Sequence, residues 1–183
     1  MIEENLTKEV SNIKYDKAII FTTFEEIFFK ESNIELKKFS YNVDTSWRQY
    51  DVSFDDKQYS LYLKFKNVTS GGWADKPQIR RIQIARKHLE GIVETKENEL
   101  SMLVGFLTFK NSPIFCFWNP KRYITHKTVC SCYVNVSSIN KAFTDGYYFG
   151  HDSGKEVYIC NSLNLQRVIK EYINNNYVSS FKW

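Results

Sequence analysis

No apolar run in this 183-residue chain is long enough to span a bilayer. Its first residues, Met1-Ile2-Glu3-Glu4-Asn5, are acidic and polar, unlike the basic and then apolar start of a secretory leader. These absences predict a cytoplasmic protein with no membrane partner, whose four cysteines are reduced thiols. Paired metal ligands are missing too. Structural zinc sites show two ligand pairs, each with roughly two to four residues between its members. Here Cys130 and Cys132 are separated by one residue, and no second pair accompanies them or His126. On a strand the two cysteines share a face, where they cannot easily pair with each other and act as small hydrophobes. The three histidines, His88, His126 and His151, offer little for a histidine–metal finger. There is no P-loop, which excludes a nucleotide-driven motor, and no nucleophile elbow, which argues against a serine or cysteine hydrolase. Internal repeats are absent, and low complexity is confined to Asn174-Asn175-Asn176. The chain is therefore expected to carry no complete catalytic site and no cofactor.

What is present is a folding composition. Hydrophobic residues make up 43% and charged residues 25%, which separates the chain from disordered sequences. The 14 Phe and 12 Tyr favour pleated, half-buried surfaces, so the balance leans towards strands. Charge is unevenly spread. Residues 1–60 hold 8 basic and 12 acidic side chains, whereas residues 61–183 hold 17 basic and 9 acidic. That asymmetry suggests a polyanionic partner for the second part.

Periodicity predicts a helical N-terminal extension over 1–38, with Ile13, Ile20, Phe21, Phe24 and Phe28 at helical spacing. A β-rich body over 45–174 follows, and the two together read as a single domain. Strands at 50–54 and 58–66 flank the turn Asp55-Asp56-Lys57, and strands at 100–109 and 113–118 flank Lys110-Asn111-Ser112. In the first hairpin Tyr59, Leu61, Leu63 and Phe65 share a face, and Lys64 and Lys66 are expected to point outward. Ile82 and Ile84 point one way from their strand, and Arg81 and Gln83 the other. Val129 to Val136 forms a strand with Cys130, Cys132, Val134 and Val136 on one face. Short helices are expected over 85–91 and 137–143, a strand over 156–160, and a helix from Ser162 through Tyr172. This order predicts an α+β fold with a mostly antiparallel curled sheet or small pseudobarrel and helices at both ends.

Two stretches carry the candidate chemistry. Lys64 to Lys87 contains Lys64, Lys66, Lys76, Arg80, Arg81, Arg86 and Lys87 against one acid, Asp75, around a Gly71-Gly72 loop. Glycines let backbone approach phosphate, and the basic side chains supply charge. Arginine suits guanine and glutamine suits adenine in the major groove, so Arg81 and Gln83 are the candidate base readers. Lys110 to Lys127 contains Lys110, Lys121, Arg122, His126 and Lys127, no acid, and the aromatics Phe115, Phe117, Trp118 and Tyr123. Such a patch can hold phosphates and stack on bases. The predicted DNA contacts are Lys76, Arg80, Arg81, Gln83, Lys121, Arg122 and Lys127, with Trp73 and Trp118 as stacking or wedging residues. The opposing enzyme reading is a small magnesium-dependent nuclease built on Asp55, Asp56 and Lys57, a spacing that Glu35-Leu36-Lys37 and Glu94-Thr95-Lys96 repeat. A third reading is a module whose basic face meets an acidic protein.

The run Tyr62-Leu63-Lys64-Phe65-Lys66-Asn67-Val68-Thr69-Ser70-Gly71-Gly72, then Lys76-Pro77 and Arg81-Ile82-Gln83, resembles recognition domains of restriction endonucleases. The aromatic strand Phe115-Cys116-Phe117-Trp118-Asn119, His126 and Ser131 extend the likeness over roughly residues 60–170. The resemblance implies a B3-like or PUA/EVE-like domain that reads double-stranded DNA in a restriction (phage-defence) system. It also implies an effector outside this chain, either a histidine-containing nuclease or a GTP-dependent motor of the McrB or LlaJI kind. A B3-like domain would read an unmodified sequence, and a PUA/EVE-like one a flipped, modified base.

Overall fold

Three two-residue turns organise the strands. Asp55 and Asp56, Lys110 and Asn111, and Ser153 and Gly154 each have φ between 49° and 75° at both central positions. Two consecutive positive φ values match the right-handed twist of paired strands, which is why such turns close hairpins. In this computed structural model, which describes residues 2–10, 12–30, 34–42, 46–89, 98–125 and 128–178, they join β2 (Trp47–Phe54) to β3 (Lys57–Asn67), β6 (Glu99–Phe109) to β7 (Ser112–Trp118), and β9 (Tyr147–Asp152) to β10 (Lys155–Asn161). The first two are the hairpins expected from sequence. Strand β9 is an addition, with a burial pattern that lacks a run of fully buried residues.

With β1 (Glu35–Asn42), these strands form a seven-stranded sheet in the order β1-β2-β3-β6-β7-β10-β9. All its pairings are antiparallel except β3 with β6, which run parallel. A parallel pair needs a long crossover. Here the crossover contains β4 (Thr69–Ser70) and β5 (Ile79–Ala85), which join β8 (Val129–Asn135) in a separate three-stranded antiparallel sheet, β4-β5-β8. The α+β, mostly antiparallel expectation holds, with strands divided between two sheets.

The middle of the larger sheet is buried on both faces, which explains the nearly continuous apolar run of β6. One face carries Leu61, Leu63, Phe65, Met102, Val104, Phe115 and Phe117. It packs against α2 (Lys17–Phe28) through Ile20, Phe24 and Phe28, and against α4 (Leu165–Val178) through Val168, Ile169 and Tyr172. Each buried Phe contributes about 1.5–3 kcal/mol. The opposite face carries Leu103, Leu107, Ile114, Cys116, Trp118 and Ile159. It packs against the inner face of the small sheet (Ile82, Ile84, Cys130, Cys132, Val134) and α3 (Val136–Asp145). Asn135 caps α3 by accepting from Ser137 N, and Gly146, at φ 92°, ends it.

Two expectations need correction. Residues 35–38 are not helical. They open β1, whose Leu36 and Phe39 pair with Val52 and Tyr50. The helices before it are α1 (Ile2–Glu9) and α2, and α2 is a layer of the core. Lys64 does not point into solvent. It is 1% exposed, donates to Ser46 Oγ at 2.9 Å and lies 5.7 Å from the Trp47 ring centroid. Burial, with Lys66 and Lys17 nearby, pushes its ammonium down to about 8. The alternation was read correctly, but the face opposite Leu63 is covered too.

Candidate nucleic-acid interface

The small sheet has a polar outer row. Period-two alternation sends Arg80, Ile82 and Ile84 of β5, and Cys130, Cys132 and Val134 of β8, inward, where all six are buried. Arg81 and Gln83 therefore point outward, beside Ser131, Tyr133 and Asn135 of β8. Register fixes the neighbours. Thr69, Arg81 and Tyr133 form one cross-strand row, and Gln83 lies opposite Ser131. Arg81 Nε is buried without a hydrogen-bond partner, and no carboxylate pairs with the guanidinium among the described residues.

The β4–β5 connection rises from this row as an arm over residues 71–78. Gly71 N donates to Ile79 O at 2.8 Å and closes its base. Lys76 N to Trp73 O (3.3 Å) and Ile79 N to Lys76 O (3.1 Å) form turns within it. Ser70 Oγ accepts from Gly72 N at 3.3 Å. Trp73 is 42% exposed, and its ring lies 5.2 Å from that of Tyr133 at an interplanar angle of 35°. Lys76 is exposed on the arm, and Arg86 and Lys87 are exposed where β5 ends. The result is a row of hydrogen-bonding side chains with an aromatic pair and flanking cations. Groups of this kind contact base edges and phosphates.

Four predicted contacts, Trp73, Lys76, Arg81 and Gln83, are thus brought together. Lys121 and Arg122 are exposed but lie elsewhere, on the Pro120–Arg122 turn after β7. That turn is tied to α4 by Asn119 Nδ2 donating to Asn176 Oδ1 at 2.6 Å, and Arg122 pairs with Glu156 at 3.5 Å. Lys127 and His126 lie outside the described residues.

Two assignments are overturned. Arg80 is 4% exposed, and its guanidinium donates to Asn12 Oδ1 at 2.7 Å and Thr7 O at 3.3 Å. It anchors the N-terminal segment beneath the sheet and is unavailable to DNA. Trp118 is fully buried in the inter-sheet core and donates from Nε1 to Tyr133 O at 3.2 Å, so it can neither stack on a base nor wedge into a duplex. Tyr133 is the residue that sequence reasoning missed. Its signal was there, because a strand that turns Cys132 and Val134 inward must turn Tyr133 outward.

The carboxylate candidates fall in other places. Asp55 and Asp56 are the central residues of the β2–β3 turn, and Asp55 pairs with Lys170 at 3.0 Å. Glu35 pairs with Lys37 at 2.6 Å on β1, and Glu94-Thr95-Lys96 lies outside the described residues. Among the described residues, no group of three His, Cys, Asp or Glu side chains could hold a metal ion. No described helix is long and apolar enough to cross a membrane.

A small two-sheet α+β domain with one polar, aromatic sheet face is the class of protein that fold and site define. Residues 58–163 match the family Methylase-associated X1, and the chain belongs to that family. No curated protein and no solved structure matches it. The family links the chain to restriction–modification systems, the coarser part of what the resemblance implied. The matched segment holds the whole small sheet, α3 and the strands beneath them, whereas α1, α2, β1, β2 and α4 lie outside it.

Proposed function

We propose that this chain is a DNA-recognition domain of a restriction–modification system with no catalytic role of its own. It reads duplex DNA for an effector carried on another chain or domain, a nuclease or a GTP-dependent motor. One observation carries the reading: the outer row of the small sheet sets Arg81 and Gln83 side by side, and among the described residues no acid pairs with the arginine. An arginine with no internal partner can give its donors to guanine, and a neighbouring glutamine can pair with adenine. Lys76, Arg86 and Lys87 supply phosphate contacts around them. Finer identification as B3-like or PUA/EVE-like is part of the same proposal. The open face favours direct reading of an unmodified site over enclosure of a flipped base.

Fluorescence anisotropy of labelled duplex DNA, at two salt concentrations, tests this with the wild type and Arg81→Ala. Binding should weaken steeply with salt, because counterions are released at each phosphate contact. On a preferred sequence, Arg81→Ala should cost about 1–3 kcal/mol. Absence of binding at low salt would reject the proposal and bring forward an acidic protein partner for the same face.

A further inference from the structure

Gly71 and Gly72 each leave room for a specific side chain. A Cβ on Gly71 would stand 2.8 Å from Ile79 O and 3.0 Å from Trp73 Cε3. The first contact is the base of the arm, where Gly71 N already donates to Ile79 O, and the second is the exposed indole. A Cβ on Gly72 would stand 2.9 Å from Arg81 Nη2 and 3.5 Å from Arg81 Cζ. The guanidinium therefore rests against the bare Cα of Gly72. That residue has φ 90°, a conformation L side chains rarely adopt. Ser70 Oγ holds the same peptide by accepting from Gly72 N.

We propose that Gly72 is a positioning residue for DNA specificity, its missing side chain being the seat that aims the Arg81 guanidinium. This rests on the proposal that Arg81 reads a base. A free arginine samples many rotamers, and ordering it on binding loses affinity. No carboxylate among the described residues orients Arg81, and the seat performs that task while leaving the donors available. The arm thereby determines specificity without Gly72 itself contacting a base, and the adjacent seat under Trp73 holds the indole beside the same row.

The experiment uses the full chain and two duplexes of equal length: one selected by the wild type from a random library, and a scrambled control. Discrimination is the ratio of their affinities, measured for wild type, Gly72→Ala, Arg81→Ala and the double variant, with folding checked by circular dichroism. Gly72→Ala should lower discrimination about 10-fold, within the range of one bidentate base contact. In the Arg81→Ala background, Gly72→Ala should change discrimination less than about 2-fold, because the group it positions is gone. Backbone strain alone would act in both backgrounds, so equal losses in the two would overturn the seat. Undiminished discrimination in Gly72→Ala would do the same. Should Arg81→Ala leave discrimination intact, or should the wild type select no sequence, the base-reading proposal itself falls and this inference falls with it.

Discussion

Arg80 and Arg81 are consecutive residues on one strand, yet they belong to different regions of the molecule. The inner face of the small sheet takes Arg80 with Ile82, Ile84 and the β8 cysteines. There the guanidinium is buried and donates from its two terminal nitrogens to Asn12 and Thr7, while its Nε, like that of Arg81, is buried without a partner. The outer face takes Arg81 with Gln83, Tyr133 and Trp73, where the arginine, with no acid partner among the described residues, sits beside an exposed indole. Charge was equal at the two positions and decided nothing. Direction decided it, since alternation along a strand assigns neighbours to opposite environments. The inner face is built into the core, and the outer face carries the residues proposed to read DNA.

Substitutions on the two faces should separate these roles, and the largest effect belongs inside. Ile82→Ala opens a cavity between the sheets at a fully buried position. It should cost about 3 kcal/mol in denaturant unfolding. A cost under ~0.5 kcal/mol, the range of surface substitutions, would mean that the two sheets are not packed as a core.

Lys64 supplies a second contrast, between a buried cation and the exposed Lys76 of the arm. Its proton affinity is depressed in the folded state, to about 8 against the usual 10.5. Between those values the unfolded chain binds the extra proton, so this group adds stability as pH rises through the window. Below about 8 its burial cost is fully present. Melting temperatures of wild type and Lys64→Met, followed from pH 7.5 to 10.5, should therefore converge or cross in favour of wild type as pH increases. Parallel profiles would place the lysine in water.

The smallest stability effect is expected for Gln83→Ala. Gln83 is exposed, and its truncation should change unfolding free energy by less than ~0.5 kcal/mol. Binding of a selected duplex should nonetheless weaken. A variant that unfolds easily would show that the outer row supports the sheet and blur the division between the faces.

Much of this architecture was legible in the chain. The turns at Asp55-Asp56 and Lys110-Asn111 stand between alternating strands, and both close hairpins. The end of α3 at Gly146 and the apolar stripe of α4 were readable in the same way. Within the site, alternation placed Arg81 and Gln83 on one face, and composition marked the Gly-Gly arm. Arg80 and Trp118 were misassigned because basic or aromatic character was weighed above burial. Strand β1 was missed because Glu35-Leu36-Lys37-Lys38 has no strand-like alternation, and its pairing with β2 is interrupted by a register shift between Leu36 and Lys38.

The sequence by itself determined most of the local elements and their polarity, because these depend on nearest neighbours and short periods. Tertiary structure alone decided that β3 pairs in parallel with β6, that the crossover between them forms a second sheet, and that this sheet shields one face of the first. It also decided the fates of two adjacent arginines. Arg80 meets Asn12 and Thr7 across 68 and 73 residues of chain, a closure that no local pattern records. Arg81 rests against a glycine nine positions earlier, whose missing Cβ matters only once the arm has folded back on its strand.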